Sequence, residues 1–188
     1  MDKKRCFWVS TQDQIYKDYH DNEWGIPCHD EHYLFESLSL EAFQAGLSWI
    51  TILKKRENFR KAFDNFNLQK IKNYDEKKIE TLMQDAGIIR NRLKILATIN
   101  NAKIFEEIQK EFGSFDKYIW HWTDGKVINN KIKSEADFIA TSPLSDAVAK
   151  DLKKRGMKFL GSTTIYAYLQ AIGVVDDHEE SCFLSKKD

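Results

Sequence analysis

Apolar residues recur every third or fourth position over most of this chain, and only Pro27, Pro143 and eight glycines interrupt them. That period follows one face of an α-helix, so the pattern predicts a mainly α-helical fold. Asp30 stands where a helix cap belongs, ahead of an inward face of Leu34, Phe35, Leu38, Phe43 and Leu47. A second helix follows with Ile50, Leu53, Phe59 and Phe63, and Asp75 caps a short one holding Ile79, Leu82 and Met83 that stops near Gly87. A longer helix over 90–112 presents Leu93, Leu96, Ile99, Ile104, Phe105 and Ile108 and ends at Gly113. Ser142 followed by Pro143 starts another, running to Arg155 with Gly156 after it; a last one over 163–172 closes at Gly173. The segment 120–138 lacks the period. Val127 and Ile128 beside Gly125 allow a short extended excursion there, and the segment is read as irregular. With no repeat, low-complexity linker or clear boundary, the expectation is one compact domain over 1–188.

Composition narrows the class of protein. A chain of 188 residues, 42% hydrophobic and 31% charged, suits a soluble globular protein with a substantial core. No apolar run approaches the roughly 20 residues that span a bilayer. The start MDKKRCFWVSTQDQ lacks the apolar core of a signal peptide, so the expectation is a cytoplasmic protein with no membrane contact, read as a monomer. Lys plus Arg equals Asp plus Glu at 29 each, so nucleic-acid contact must come from local patches. Candidates are Lys54, Lys55 and Arg56; Arg90, Arg92 and Lys94; and Lys153, Lys154, Arg155 and Lys158. Each such run is more often a solvated helix face than a phosphate clamp.

Cys6, His20, His178 and Cys182 form two metal-type pairs at opposite ends of the chain. A helical turn would set His178 and Cys182 on one face, and Cys6 with His20 would complete a tetrahedral Cys2His2 zinc site that joins the termini. Small buried cysteines beside ordinary histidines explain the same residues, and spacing alone leaves both readings open. Three cysteines, an odd number, argue against a secreted disulfide framework. Cys28, His29 and His32 form a local cluster at a loop-to-helix start, where capping and surface roles are the simpler reading.

Between the last two helices, Gly156 to Gly161 with Ser162, Thr163 and Thr164 makes a glycine-bounded turn leading into a helix N-terminus. Free N–H groups there, with Lys158 nearby, suit a phosphate; a plain αα-hairpin is the commoner use of such a sequence. Phe159 stands where a Gly-x-Gly turn would have its first glycine. Further forward, Tyr16, Tyr19, Trp24 and Trp49 gather around Glu41, which is set among apolar residues. A carboxylate amid rings is either a paired core acid or a group that reads a flat, electron-poor heterocycle.

The strings YHDNEWG at 19–25, QAGLSWITILKKRENFRKAF at 44–63, QDAGIIRNR at 84–92 and LKKRGMKFLG at 152–161, with the terminal Asp-His and later Cys, resemble the bacterial 3-methyladenine DNA glycosylase I family. The resemblance covers nearly the whole chain. It implies a helix-hairpin-helix glycosylase fold, with that motif over about 143–173, and one structural zinc per chain on Cys6, His20, His178 and Cys182. It implies hydrolysis of the N-glycosidic bond of 3-methyladenine in alkylated double-stranded DNA, giving free base and an abasic site without lyase activity. Glu41 is then the residue that bonds the adenine edge and drives excision, Tyr16 and Trp49 shape the stack, and Tyr19 and Trp24 complete the pocket. Lys158 and Gly161 to Thr164 would contact DNA phosphates.

Wider helix-hairpin-helix glycosylases carry an aspartate after the hairpin, which this family is regarded as lacking, yet Asp176 and Asp177 stand near that place. Neither is assigned to catalysis; orienting a zinc histidine is the other explanation. A catalytically silent reader of alkylated purines is the rival function. A zinc hydrolase is disfavoured, since four protein ligands leave the metal no open position.

Overall fold

The computed structural model describes residues 3–9 and 12–185, a helical assembly with one two-stranded ribbon. In chain order the helices are α1 (Gln14–Asn22), α2 (Glu31–Gln44), α3 (Trp49–Ala62), α4 (Leu68–Ile71), α5 (Glu76–Gln84), α6 (Arg92–Phe112), α7 (Phe115–His121), α8 (Pro143–Lys154) and α9 (Ser162–Ala171). The ribbon pairs β1 (Ile128–Asn129) in parallel with β2 (Val175–Asp176).

Helix starts follow their caps. Asp30, Asp75, Asn91 and Ser142 each accept a hydrogen bond from the backbone N–H three residues on, at Tyr33, Lys78, Lys94 and Ser145. Gly113, at φ +87°, ends α6. Helix α2 is the centre: every residue from Leu34 to Phe43 is buried, and α3, α6, α7 and α9 pack around it. A helix buried on all sides belongs to the interior, and Glu41 therefore sits on an interior element.

Several expectations need correction. Leu47 is exposed in the loop after α2, because the helix stops at Gln44 and Gly46 takes φ +82°. Leu93 and Leu96 face solvent at 67% and 41% exposure. The rest of the expected face, Ile99, Ile104, Phe105 and Ile108, is buried, and Ile95, Thr98 and Ala102 join it in the first half of α6 where the two leucines do not. The segment 120–138 is only partly irregular. Trp120 and His121 finish α7, and β1 pairs with the segment after α9, which gives it a partner distant in sequence. His178 and Cys182 lie outside any helix, so no helical turn sets them on one face.

The segment after α1 is laced to the end of α9 at close range. Gly25 N–H donates to the Gln170 carbonyl at 2.9 Å and Cys28 N–H to Ile172 at 3.0 Å. Gly173, at φ +70°, lies so near that a Cβ on it would meet the Ile26 carbonyl carbon at 2.2 Å. A Cβ on Gly25 would strike the His178 ring at 2.5 Å. Both positions need glycine for space as well as for backbone angle.

Candidate active site

Helices α1, α2, α3 and α9, the N-terminal segment and Phe138 line an open cavity of about 250 Å³. That is near the lower end of ligand sites, which begin at roughly 300 Å³, and suits one heterocyclic base. Tyr16, Tyr19, Trp24, Glu41 and Trp49, the five residues named from sequence, all line it. So do Phe7, Trp8, Gln44, Phe138, Ala167 and Gln170, which sequence reasoning misses. Trp8 is visible as an aromatic close to Cys6, but Phe138, Ala167 and Gln170 come from distant segments with no local signal.

The rings stand edge to face. Trp8 meets Tyr16 at 5.3 Å and Trp24 at 5.0 Å, each at 72°, while Tyr19 tilts on Trp49 at 5.4 Å. Glu41 is 3% exposed and its Oε2 has no hydrogen-bond partner among the described residues. The indole N–H groups of Trp8 and Trp49 are likewise buried and unpartnered. Burial pushes the Glu41 carboxyl up to about 8. A buried acid with no cation beside it costs stability unless something else meets it. The residues that line this cavity thus offer aromatic faces, two unpartnered donors and one unpartnered carboxyl oxygen.

The end of α2 is held by Lys94, which is 6% exposed and donates from Nζ to the carbonyls of Phe43 at 2.8 Å and Ala45 at 2.7 Å. These are the carbonyls a helix end leaves open, and a cation suits that pole. Lys94 is therefore no phosphate clamp. Lys54 pairs with Asp13, Lys55 donates to the Ala86 and Gly87 carbonyls, Arg56 grips Glu23, and Arg92 pairs with Glu76 and Glu80. Arg155 is engaged by Asp151 and Glu111, whereas Lys153, Lys154 and Lys158 are exposed and make no ion pair among the described residues.

Those lysines surround the turn between α8 and α9. Gly161 caps α9; Gly161 and Thr163 are exposed, and Ser162 and Thr164 are half-buried, with Ser162 Oγ 2.8 Å from Ser145 Oγ. Phe159 takes φ +59°, the left-handed conformation a glycine would adopt there freely. Asn101 clamps Lys158 from α6, donating to its carbonyl and accepting from its N–H, both at 2.9 Å. The turn keeps a glycine-like shape despite its phenylalanine.

Beside the cavity, Cys6, His20 and Cys182 bring their ligand atoms within 4.8 Å of one another, all buried. His178 packs edge-on against His20, ring centres 5.1 Å apart, and its Nε2 is buried without a partner among the described residues. Each histidine has Nδ1 held 2.8 Å from an acid, Asp21 for His20 and Asp176 for His178, and His20 Nε2 lies 3.5 Å from both the Cys182 sulfur and the Cys6 backbone nitrogen. The hydrogen bond between the two thiols raises the Cys6 pKa and lowers that of Cys182, whose thiolate the His20 ring also favours. Two sulfurs and one imidazole are donor types that suit zinc, and His178, expected as the fourth ligand, stands outside this group of three. Cys28, His29 and His32 make no such group; His29 pairs with Asp116 and stacks on Trp120. Asp177 does not line the cavity.

Known proteins answer to this architecture. The methyladenine glycosylase family model matches residues 8–185. DNA-3-methyladenine glycosylase 1 of Escherichia coli K12 is 45% identical over 179 residues, covering 95% of each chain. A crystal structure of 3-methyladenine DNA glycosylase I superposes with a TM-score of 0.94 at 46% identity, over 97% of this chain and 100% of that one. A tyrosine-to-phenylalanine variant of 3-methyladenine DNA glycosylase I in complex with 3-methyladenine superposes at 0.91 with 37% identity, over 94% and 95% of the two chains. The pocket thus stands in a fold shared with proteins that bind this methylated base, and the chain belongs to the methyladenine glycosylase family.

Proposed function

We infer that this protein is a DNA base-excision glycosylase that hydrolyses the N-glycosidic bond of 3-methyladenine in alkylated DNA. The observation that carries the reading is the buried Glu41 carboxyl, its Oε2 unpartnered among the described residues, in the lining of an aromatic cavity the size of a base. Methylation at N3 makes the nucleoside cationic, so the base leaves neutral and needs no protonation. The protein's work is to take the nucleotide out of the duplex, hold the base, and admit water to the sugar carbon. A cationic ring gains from aromatic faces and from the charge Glu41 acquires on meeting it. Normal adenine is neutral, gains less, and must leave an intact pair.

Duplex DNA is held through the α8–α9 turn, a helix-hairpin-helix in this reading. The N–H groups of Gly161 to Thr164 and the lysines 153, 154 and 158 face one phosphate run. Leu47 is exposed beside the cavity, between pocket residues Gln44 and Trp49, where an apolar side chain can fill the gap a flipped base leaves. No lysine lines the cavity among the described residues, which favours attack by water over imine chemistry and a monofunctional enzyme. Cys6, His20, His178 and Cys182 would hold one zinc, which when bound supplies a crosslink between the chain ends.

Purified protein should release free 3-methyladenine from methylated duplex DNA, and Glu41→Gln should lose most of that activity. Titration with the free base separates the rival: binding without release by the wild type would make the protein a silent reader.

A further inference from the structure

Asp177 is wholly buried, and its oxygens accept three hydrogen bonds. Asn130 Nδ2 donates to Oδ1 at 2.7 Å; the Tyr166 hydroxyl and Gln170 Nε2 each donate to Oδ2 at 2.7 Å. Of these three donors only Gln170 also lines the base cavity. Its backbone is pinned as well, since its carbonyl accepts from Gly25 N–H at 2.9 Å. A side-chain amide has two ends of nearly the same shape and opposite hydrogen-bonding sense. Here Nε2 is committed to Asp177, and Oε1 has no hydrogen-bond partner among the described residues.

We propose that Asp177 is a positioning residue for base selection: by holding Gln170 Nε2 it makes Gln170 Oε1 a fixed acceptor at the cavity, which with Glu41 selects purines bearing an amine at C6 over purines bearing a carbonyl there. The proposal deepens the glycosylase reading and rests on it. An exocyclic amine has two N–H groups and serves two acceptors. A C6 carbonyl brings only lone pairs, which Gln170 Oε1 repels.

Glu41 does not discriminate by itself. Burial raises its carboxyl to about 8, and toward a neutral free base the protonated carboxyl has one O–H to donate and one oxygen to accept, so it meets either edge. Gln170 lacks that freedom. Turning its amide over would set Oε1 against the oxygens of Asp177 and leave acceptors facing acceptors in a buried site. Asp177 itself cannot reach the sugar or activate water from this position, because it is outside the cavity and its oxygens are occupied.

The test is a titration of wild type, Asp177→Asn and Gln170→Leu with free 3-methyladenine and with 3-methylhypoxanthine, its 6-oxo counterpart. The wild type should prefer the amine, and each variant should reduce that preference about tenfold, the effect of roughly one hydrogen bond. Asp177 also ties the segment after β1 to α9, so Asp177→Asn weakens the fold as well; Gln170 is only half-buried, and Gln170→Leu keeps the test decisive. A purely structural role would weaken both bases alike and leave their ratio untouched, and that result overturns the proposal. If the wild type binds both bases equally, the assignment of Gln170 fails while the pocket stands. If it binds neither, the glycosylase reading fails with it.

Discussion

Glu41 shows what one residue costs and what it does. Its carboxyl is raised from the usual range to about 8 by burial alone. The native state thus keeps a proton that the unfolded chain releases above the ordinary carboxyl range. The cost to stability is therefore absent below that range, grows as pH climbs to about 8, and is constant beyond it. Denaturant unfolding should show wild type weaker at pH 9 than at pH 6 by an amount on the order of a few kcal/mol, and Glu41→Gln should flatten that difference. Equal pH profiles for the two proteins would mean that the carboxyl is solvated. The same substitution should spare the fold at neutral pH, because the acid it replaces is already neutral there. It should reduce base release by about 100-fold, the scale of removing one charge-assisted hydrogen bond in a dry site.

At the scale of elements, the proposed function divides between α2 and the α8–α9 turn. Lys94 satisfies the carbonyls of Phe43 and Ala45, where α2 gives way to the loop around Gly46. Lys94→Met leaves both carbonyls without their donor and should cost about 1–3 kcal/mol in thermal unfolding. Base release should fall with it, since the pocket residues Gln44 and Trp49 flank that loop. The turn answers to a different measurement. Reversing charge at Lys153 and Lys158 together should weaken duplex binding and flatten its salt dependence, by up to about 0.9 logarithmic units for each phosphate that is no longer neutralised. Unchanged binding and slope would place the DNA elsewhere.

Much of the element order is legible in the sequence because caps and glycines act locally: Asp30, Asp75, Ser142 and Gly113 mark helix ends at the positions the pattern names. Leu47, Leu93 and Leu96 are misplaced by the same pattern, because periodicity finds a face without saying how the helix is turned or where it stops. Gln170 and Phe138 give no signal, since only the packing of distant segments brings them to the cavity of Glu41. The parallel β1–β2 pair is hidden for the same reason, each strand being two residues long.

On the scale of the molecule, the chain ends and the pocket are one construction. Cys6 and Cys182 belong to the same small buried cluster as Tyr19 and Trp24, with Trp8, Tyr16 and Trp49 packed against it. Phe7 and Trp8 directly follow Cys6, Phe7 N–H donates to Glu179 at 2.6 Å, and Phe183 N–H donates to the Lys4 carbonyl at 2.9 Å. Trp24 rests edge-on against His178 at 4.8 Å. A crosslink through the two cysteines and two histidines would therefore fix a wall of the base cavity, while the main core around α2 stands on its own apolar packing. Metal analysis should find one zinc per chain. Chelation, or Cys182→Ala, should lower Tm by roughly 2–4 °C for each kcal/mol of stability removed and weaken binding of free 3-methyladenine. Hydrogen exchange should rise in 3–9 and 177–185 and stay low in α2, α6 and α9, because the large core does not depend on the tether. If chelation leaves the affinity and the exchange of the terminal segments unchanged, the hydrogen bonds and rings alone hold the wall, and the metal has no part in shaping the pocket.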